Sequence, residues 1–282
     1  MKNIRIVADS TCDLSPDLIE KYNITIIPLC IIMDDKSYYD GSEVTPDEIF
    51  AWADENKTTP KTAAIPFDLT EEKLASFIEN GDDIIFFGIS SKMSTTCNVA
   101  RLAGEDYERL FVIDSQNLST GIGLQVIKAA EMAAAGIPTE EIVAEIEDAH
   151  SRVRASFVVD TLTFLARGGR CTAVAALMAT ALKLHPMITV KDGAMGVGKK
   201  YRGKMDTALD SYVNDLKSAL LNAEKKRVFI THSGSSEETI NKVKAELEAL
   251  DYFEEILITR AGGVISSHCG PNTLGVLFYE NK

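Results

Sequence analysis

Apolar residues along this chain follow two rhythms, and the switching between them organises its first half. Ile4-Arg5-Ile6-Val7-Ala8, Asp83 to Gly88 and Leu110 to Asp114 are short runs dominated by apolar, often β-branched residues. The latter two each lead into a polar loop and then a helical pattern. That alternation predicts a largely parallel sheet covered by helices on both faces. Ile24 to Met33 predicts a further strand-like stretch, interrupted at Pro28, which cannot donate to a ladder. Ser15-Pro16 predicts a short capped helix, with proline where the first N–H has no helical partner in any case. Thr45-Pro46-Asp47-Glu48 is a capping box opening a helix that carries Phe50 and Trp52. From about Thr139 to Arg154, Ile142, Val143, Ile146, Ala149 and Val153 share one face and predict an amphipathic helix.

Beyond that helix the order changes. Phe157-Val158-Val159-Asp160 leads to a Gly-Gly pair, an alanine-rich helix, the run Met187 to Val190 and a glycine-rich turn. Strands at Arg227 to Thr231 and Ile256 to Thr259 flank a helix bearing Ile240, Val243, Leu247 and Leu250; a last strand lies around Gly275 to Tyr279. The expected fold class is α/β with two domains, residues 1–155 and 156–282, a division that 282 residues accommodate. No Pro- or Ser-rich linker separates them, so the halves are expected to pack closely.

Composition then narrows the function. The formal charge of −13 is the wrong sign for displacing counterions from phosphate, so neither nucleic acid nor an anionic membrane surface is an expected partner. Cys12, Cys30, Cys97, Cys171 and Cys269 are scattered with no C-x-x-C pair, which argues against zinc and dithiol sites and for reduced thiols. Met1-Lys2-Asn3-Ile4 runs straight into a strand. The longest apolar runs, Ile26 to Met33 and Ala173 to Leu182, fall short of the ~20 residues a bilayer span takes. A cytoplasmic protein with no membrane span, metal or cofactor is expected.

Candidate chemistry sits in the loops. Gly193-Ala194-Met195-Gly196-Val197-Gly198-Lys199-Lys200 nearly spells a phosphate-binding loop, but Lys200 stands where Ser or Thr would hold magnesium, and Gly203 would break the helix that must follow. A glycine-rich hairpin turn is the better reading. Gly121-Ile122-Gly123 lacks the third glycine of a dinucleotide fingerprint, and no G-x-S-x-G elbow occurs. Asp9-Ser10-Thr11-Cys12-Asp13, just past the first strand, offers carboxylates and hydroxyls for phosphoryl chemistry, or equally for turn formation and capping. Ser90-Ser91-Lys92-Met93-Ser94-Thr95-Thr96 precedes a helix and holds more hydroxyls than capping requires; these and the free N–H groups suit a carboxylate or phosphate. Lys61-Thr62-Ala63-Ala64 adds a further hydroxyl, and Gly168-Gly169-Arg170 an arginine that can face an anion. Among the histidines, His150 lies on an acid-rich helix and reads as a solvated residue, and neither His185 nor His232 has a carboxylate or cysteine at metal-ligand spacing. His268 instead lies in a glycine-punctuated segment, Gly262 to Pro271, read as a loop between two strands.

Taken in order, Asp9 to Leu14, Lys61 to Ala64, Ser90 to Thr96, Val112-Ile113-Asp114-Ser115, Gly168 to Arg170 and His268-Cys269-Gly270-Pro271 resemble the DegV family across nearly the whole chain. That family comprises lipid-binding proteins and includes the fatty-acid-binding subunits of bacterial fatty acid kinase. The resemblance implies a DegV-like fold: an N-terminal, mostly parallel sheet flanked by helices, a C-terminal α/β domain, and a ligand cleft between them. It implies a long-chain fatty acid such as palmitate, stearate or oleate in an interdomain tunnel, with its carboxylate on hydroxyls matching Thr62 and Ser94. Arg170 and His268 would lie near the head group, where a separate ATP-dependent kinase makes acyl phosphate. Ser10, Thr96 and Gly169 complete the expected binding set. Ala63, Thr95 and Asn272 depart from the serine, glycine and glycine usual in the family. The chain is then a carrier with no catalytic residue of its own. The alternatives are a stand-alone phosphotransferase or phosphatase using Asp9, Asp13 and His268, and a lipid-sensing regulatory protein.

Overall fold

The computed structural model describes residues 3–175 and 184–282. In chain order the first half comprises β1 (Ile4–Asp9), a 3-10 turn at Ser10–Cys12, α1 (Pro16–Lys21), β2 (Thr25–Ile27), β3 (Cys30–Met33), β4 (Lys36–Tyr39), α2 (Pro46–Asn56) and β5 (Lys61–Ala63). There follow α3 (Phe67–Glu79), β6 (Asp83–Gly88), α4 (Thr96–Ala103), β7 (Leu110–Asp114), α5 (Thr120–Ala134) and α6 (Thr139–Ala149). The second half runs β8 (Val153–Val158), α7 (Thr163–Gly168), α8 (Thr172–Ala175), β9 (Leu184–Lys191), β10 (Ala194–Arg202) and α9 (Met205–Leu220). It ends with β11 (Ala223–Ser233), α10 (Glu237–Glu248), β12 (Glu255–Arg260), α11 (Gly263–Cys269) and β13 (Thr273–Glu280).

The apolar strands of the first half form the expected parallel sheet, in the order β2-β1-β6-β7. Alternate residues of each strand serve different cores. Ile6 and Ala8 of β1, with Ile85 and Phe87 of β6, face α5 and α6. Val7, Ile84 and Phe86 face the opposite way, toward Leu74 of α3, Ala100 of α4 and Ile49 of α2. Burial on both faces is what turns these strands into unbroken apolar runs. The Ile24–Met33 stretch divides at Pro28: β2 joins the parallel sheet, while β3 starts a small antiparallel sheet, β4-β3-β5.

The second half builds a six-stranded mixed sheet, β10-β9-β8-β13-β11-β12, in which only β11 and β12 run parallel. Its strands also split by parity. Val228, Ile230, Val276 and Phe278 pack under Leu209, Tyr212 and Leu247 of α9 and α10. Phe157, Phe229 and Leu277 point inward and share a core with Ile122 and Ile127 of α5. The order of layers is therefore helix, sheet, helix, sheet, helix, with α5 in the middle. The amphipathic helix expected to reach Arg154 stops at Ala149. A 3-10 turn at His150–Arg152 follows, and Val153 already opens β8, burying its side chain from a strand instead of a helix. The boundary expected at residue 155 thus falls inside β8, whose partners are β9 and β13 of the second sheet. Ser15 precedes α1 without a side-chain cap, whereas Thr45 and Glu48 form the full capping box. The glycine-rich segment is a hairpin as read, but its turn is only Asp192–Gly193; most of its glycines lie within β10. Residues 176–183 of the expected alanine-rich helix, which include most of the run Ala173 to Leu182, lie outside the described residues.

At the centre of the mixed sheet, a Cβ on Gly275 would lie 2.6 Å from Ser156 O and 2.9 Å from Phe157 Cβ. Because the first obstacle is backbone, it has no rotamer by which to yield. Gly275→Ala is therefore expected to lower stability by about 1–3 kcal/mol, measured by urea denaturation, with the fold otherwise retained.

Candidate ligand cavity

In the parallel sheet the chain moves outward in opposite directions from β1 and β6, making the gap between their carboxyl ends the topological switch point where open α/β sheets bind ligands. A cavity of about 500 Å³ opens there, within the usual range for small-molecule sites. Both halves of the chain build it. β5 brings Thr62, the loop after β6 brings Ser91, Lys92 and Ser94, and α11 brings Ile265 and His268. Arg170 follows α7, and Met195 comes from the β9–β10 hairpin. That hairpin is tied down where the Ser90 hydroxyl donates to Gly193 O at 2.6 Å.

Local geometry explains each placement. Ser90 O accepts the N–H groups of Met93 (2.8 Å) and Ser94 (3.1 Å), curling the loop so that Ser94 reaches the cavity. The Ser94 hydroxyl then meets the Thr96 hydroxyl at 2.9 Å and accepts Thr96 N–H at 3.3 Å. Gly169 ends α7 in the left-handed region at φ 66°, and the chain doubles back so that Arg170 Nη1 donates to Gly168 O at 2.8 Å. His268 stands in the last turn of α11, with Nε2 2.8 Å from Thr62 Oγ1. A Cβ on Gly168 would collide with His268 Nδ1, so only glycine lets the α7 backbone lie against that ring. Burial, and then the charge of Arg170, lowers the His268 pKa to about 4. The imidazole is therefore neutral at pH 7, and the polar wall consists of hydroxyls, a neutral ring, the Arg170 guanidinium and the Lys92 ammonium.

Of the residues expected to bind, Thr62, Ser94, Arg170 and His268 converge on this cavity. Thr96, Ser10 and Gly169 are not on its lining. Thr96 is fully buried behind Ser94, and Gly169 acts through backbone shape. Ser10 donates to Asp40 (2.8 Å) and accepts Leu29 N–H (3.1 Å). The carboxylates offered for phosphoryl chemistry are engaged internally. Asp9 accepts from Thr11 N (2.9 Å), the Thr11 hydroxyl and Ile89 N (2.7 Å); Asp13 accepts from the Ser119 hydroxyl (2.5 Å) and Gly262 N (2.8 Å). His268 rides on a helix, not on the loop its glycines suggested, because Gly262 and Gly263 start a turn that Gly270 ends.

The apolar wall includes Leu29, Ile89, Met93, Leu118 and Val264. Leu118, Ile265 and Cys269 also border a narrower void of about 20 Å³ that continues to Phe157, Gly275 and Leu277 on the inner face of the mixed sheet. Sequence reasoning did not single out these residues, since a cavity wall and a core share the same apolar pattern. Lys92 was within a motif already marked by its hydroxyls; Met195 lay in a glycine run read for its turn alone.

Residues 3–281 match the profile of the family described as uncharacterised protein, DegV family. The chain belongs to the DegV family. It is 33% identical to a DegV domain-containing protein of Caldanaerobacter subterraneus subsp. tengcongensis, over 99% of this chain and 100% of that one. Its fold is similar to that of a DegV family protein from Thermus thermophilus described for fatty acid binding, at 31% identity and a TM-score of 0.92, with 100% of both chains covered. It is also similar to a stearic-acid-binding protein from Eubacterium ventriosum, at 28% identity and a TM-score of 0.84, covering 99% of this chain and 98% of that one. The parallel sheet flanked by helices, joined to a mixed sheet, is thus the DegV architecture. Among the described residues, no helix is long and apolar enough to cross a membrane.

The lowered His268 pKa has a thermodynamic signature. Between pH 4 and the ordinary 6.5 the unfolded chain binds a proton at this histidine that the folded chain refuses, so stability is lost as pH falls through that window. His268→Gln removes this contribution. Thermal melts of ligand-free protein are expected to show a smaller fall in Tm from pH 7 to 4.5 in the variant than in the unsubstituted DegV protein.

Proposed function

We propose that this protein binds a long-chain fatty acid between its two halves and presents the carboxylate to a separate ATP-dependent kinase for acyl-phosphate formation. The observation that carries the reading is the convergence of Thr62, Ser94, Arg170 and His268 on one cavity whose other walls are mostly apolar. Relatives described as binding fatty acids, stearic acid among them, support it. The acyl tail lies along the apolar wall of Leu29, Ile89, Met93, Leu118 and Val264. Each buried methylene contributes about 0.8 kcal/mol, against about 1.5–3 kcal/mol for a hydrogen bond to a charged group. The tail therefore supplies most of the affinity, and the head-group contacts set orientation.

In the tautomer protonated at Nε2, the neutral ring of His268 donates to Thr62 Oγ1 and leaves the Thr62 hydroxyl proton for the ligand carboxylate. Ser94 supplies a second hydroxyl. Neutral donors hold the carboxylate without quenching its nucleophilicity, as a tight lysine pair would, and Arg170 lies at the exposed rim, where charge develops during phosphoryl transfer. The chain needs no metal or cofactor of its own, and the chemistry belongs to the partner.

Organic extraction of the purified protein followed by mass spectrometry is expected to release a fatty acid. Repeated absence of lipid, with no uptake of added stearate, would overturn the proposal. Replacing both Thr62 and Ser94 with alanine is expected to weaken stearate binding by about tenfold while abolishing kinase-dependent acyl-phosphate formation. Undiminished phosphorylation would remove these hydroxyls from the head-group site.

A further inference from the structure

The Asp9–Asp13 turn is the motif that the ligand cavity leaves unused, and its hydrogen bonds have a common destination. Asp9 accepts the N–H of Ile89 at 2.7 Å. Asp13 accepts Gly262 N–H at 2.8 Å and the hydroxyl of Ser119, the neighbour of Leu118. Asp40, beside the turn, accepts Gly263 N–H at 2.7 Å and the hydroxyl of Ser10, whose oxygen in turn accepts Leu29 N–H. Leu29, Ile89, Leu118 and α11 are separate walls of the cavity, brought in by distant parts of the chain. All three carboxylates are buried, at 0%, 5% and 4% exposure for Asp9, Asp13 and Asp40. A carboxylate suits this role because it only accepts, so it takes a backbone N–H and a hydroxyl together with no donor of its own in the way. An amide there would aim its NH2 at one of two existing donors. The first turn of α11 also sits close: a Cβ on Gly263 would come within 2.5 Å of Ile31 Cδ1 and 2.8 Å of Ile49 Cδ1.

We infer that Asp13 and Asp40, with Asp9 and Ser10, are positioning residues that hold the cavity walls in register without touching the ligand. Their chief load is α11, whose placement decides whether His268 meets Thr62. What the cavity holds rests on the fatty-acid reading, whereas the anchoring geometry is independent of it.

The test compares Asp13→Asn and Asp40→Asn with the unsubstituted protein by two measurements. Amide hydrogen exchange is followed in ligand-free protein, and stearate affinity is read by displacement of a fluorescent fatty acid. Exchange over residues 262–269 is expected to speed up about tenfold or more, while α9 and β11 keep their protection, and stearate affinity is expected to fall about tenfold. Saturating stearate should restore slow exchange in α11. If Asp13→Asn does not fold, Ser119→Ala removes one of the two partners of Asp13 and is expected to act in the same direction. Unchanged exchange over 262–269 overturns the anchoring. Faster exchange with unchanged affinity overturns the positioning role, as does magnesium-dependent phosphatase turnover that disappears in Asp13→Asn. Faster exchange in the variants of a protein that binds no fatty acid at all upholds the anchoring and removes the ligand reading instead.

Discussion

A helix with a β-sheet on each side has no face to give to water, and α5 is in that position. Thr120 through Ile127 are buried without a break. The lone amide among them, Gln125, spends its Nε2 on Ser115 O and Gly121 O, both at 3.0 Å. Two sheets of different topology share this helix, so they cannot shift independently without opening the core. Gly121 and Gly123, which hint at a dinucleotide loop, are there for clearance. A Cβ on Gly123 would meet Leu14 Cδ2 at 2.7 Å and Cys12 O at 2.9 Å, and one on Gly121 would strike Asn117. Close approach of α5 to the Asp9–Asp13 turn is the constraint from which the cavity geometry follows.

The cavity lies where α5 begins, at the carboxyl edge of the parallel sheet. Its electrostatics are set by what is kept out of reach. The buried carboxylates of the turn after β1, Asp9 and Asp13, are turned to backbone donors and hydroxyls, and burial raises both pKa values, that of Asp9 to about 6. With His268 neutral, the described residues lining the cavity include no carboxylate to repel a ligand acid, and their two cations, Lys92 and Arg170, stand at the surface. Arg170 is exposed, where solvent screens its charge.

Much of the fold could be read from the chain because two-sided burial leaves a plain mark: β6 and β7 occur at the expected residues, and the capping box at Thr45 opens α2. Short-range signals failed where long-range packing decides. Val153 fits a helical face by spacing but pairs with Tyr279 in the mixed sheet, and Pro28 separates two sheets, a distinction no local pattern carries. At the candidate site, the loop Ser90 to Thr96 marked a place for an anion because its hydroxyls exceed what capping needs, whereas Thr62 and Ser94 were singled out only by the resemblance to the DegV family. Asp40 gave no such signal, since its role comes from Gly263 and Ser10, which are remote in sequence. The apolar lining was equally silent, as Leu118 and Ile265 look like any core residue.

Because Thr62 and Ser94 come from one half, and Arg170, Met195 and His268 from the other, the pocket belongs to neither half. Cutting the chain near residue 150 would leave two fragments, each with an exposed oily flank and half a binding site. Exchanging one lobe for an unrelated one would therefore take the pocket with it, unlike the swap of a self-contained module.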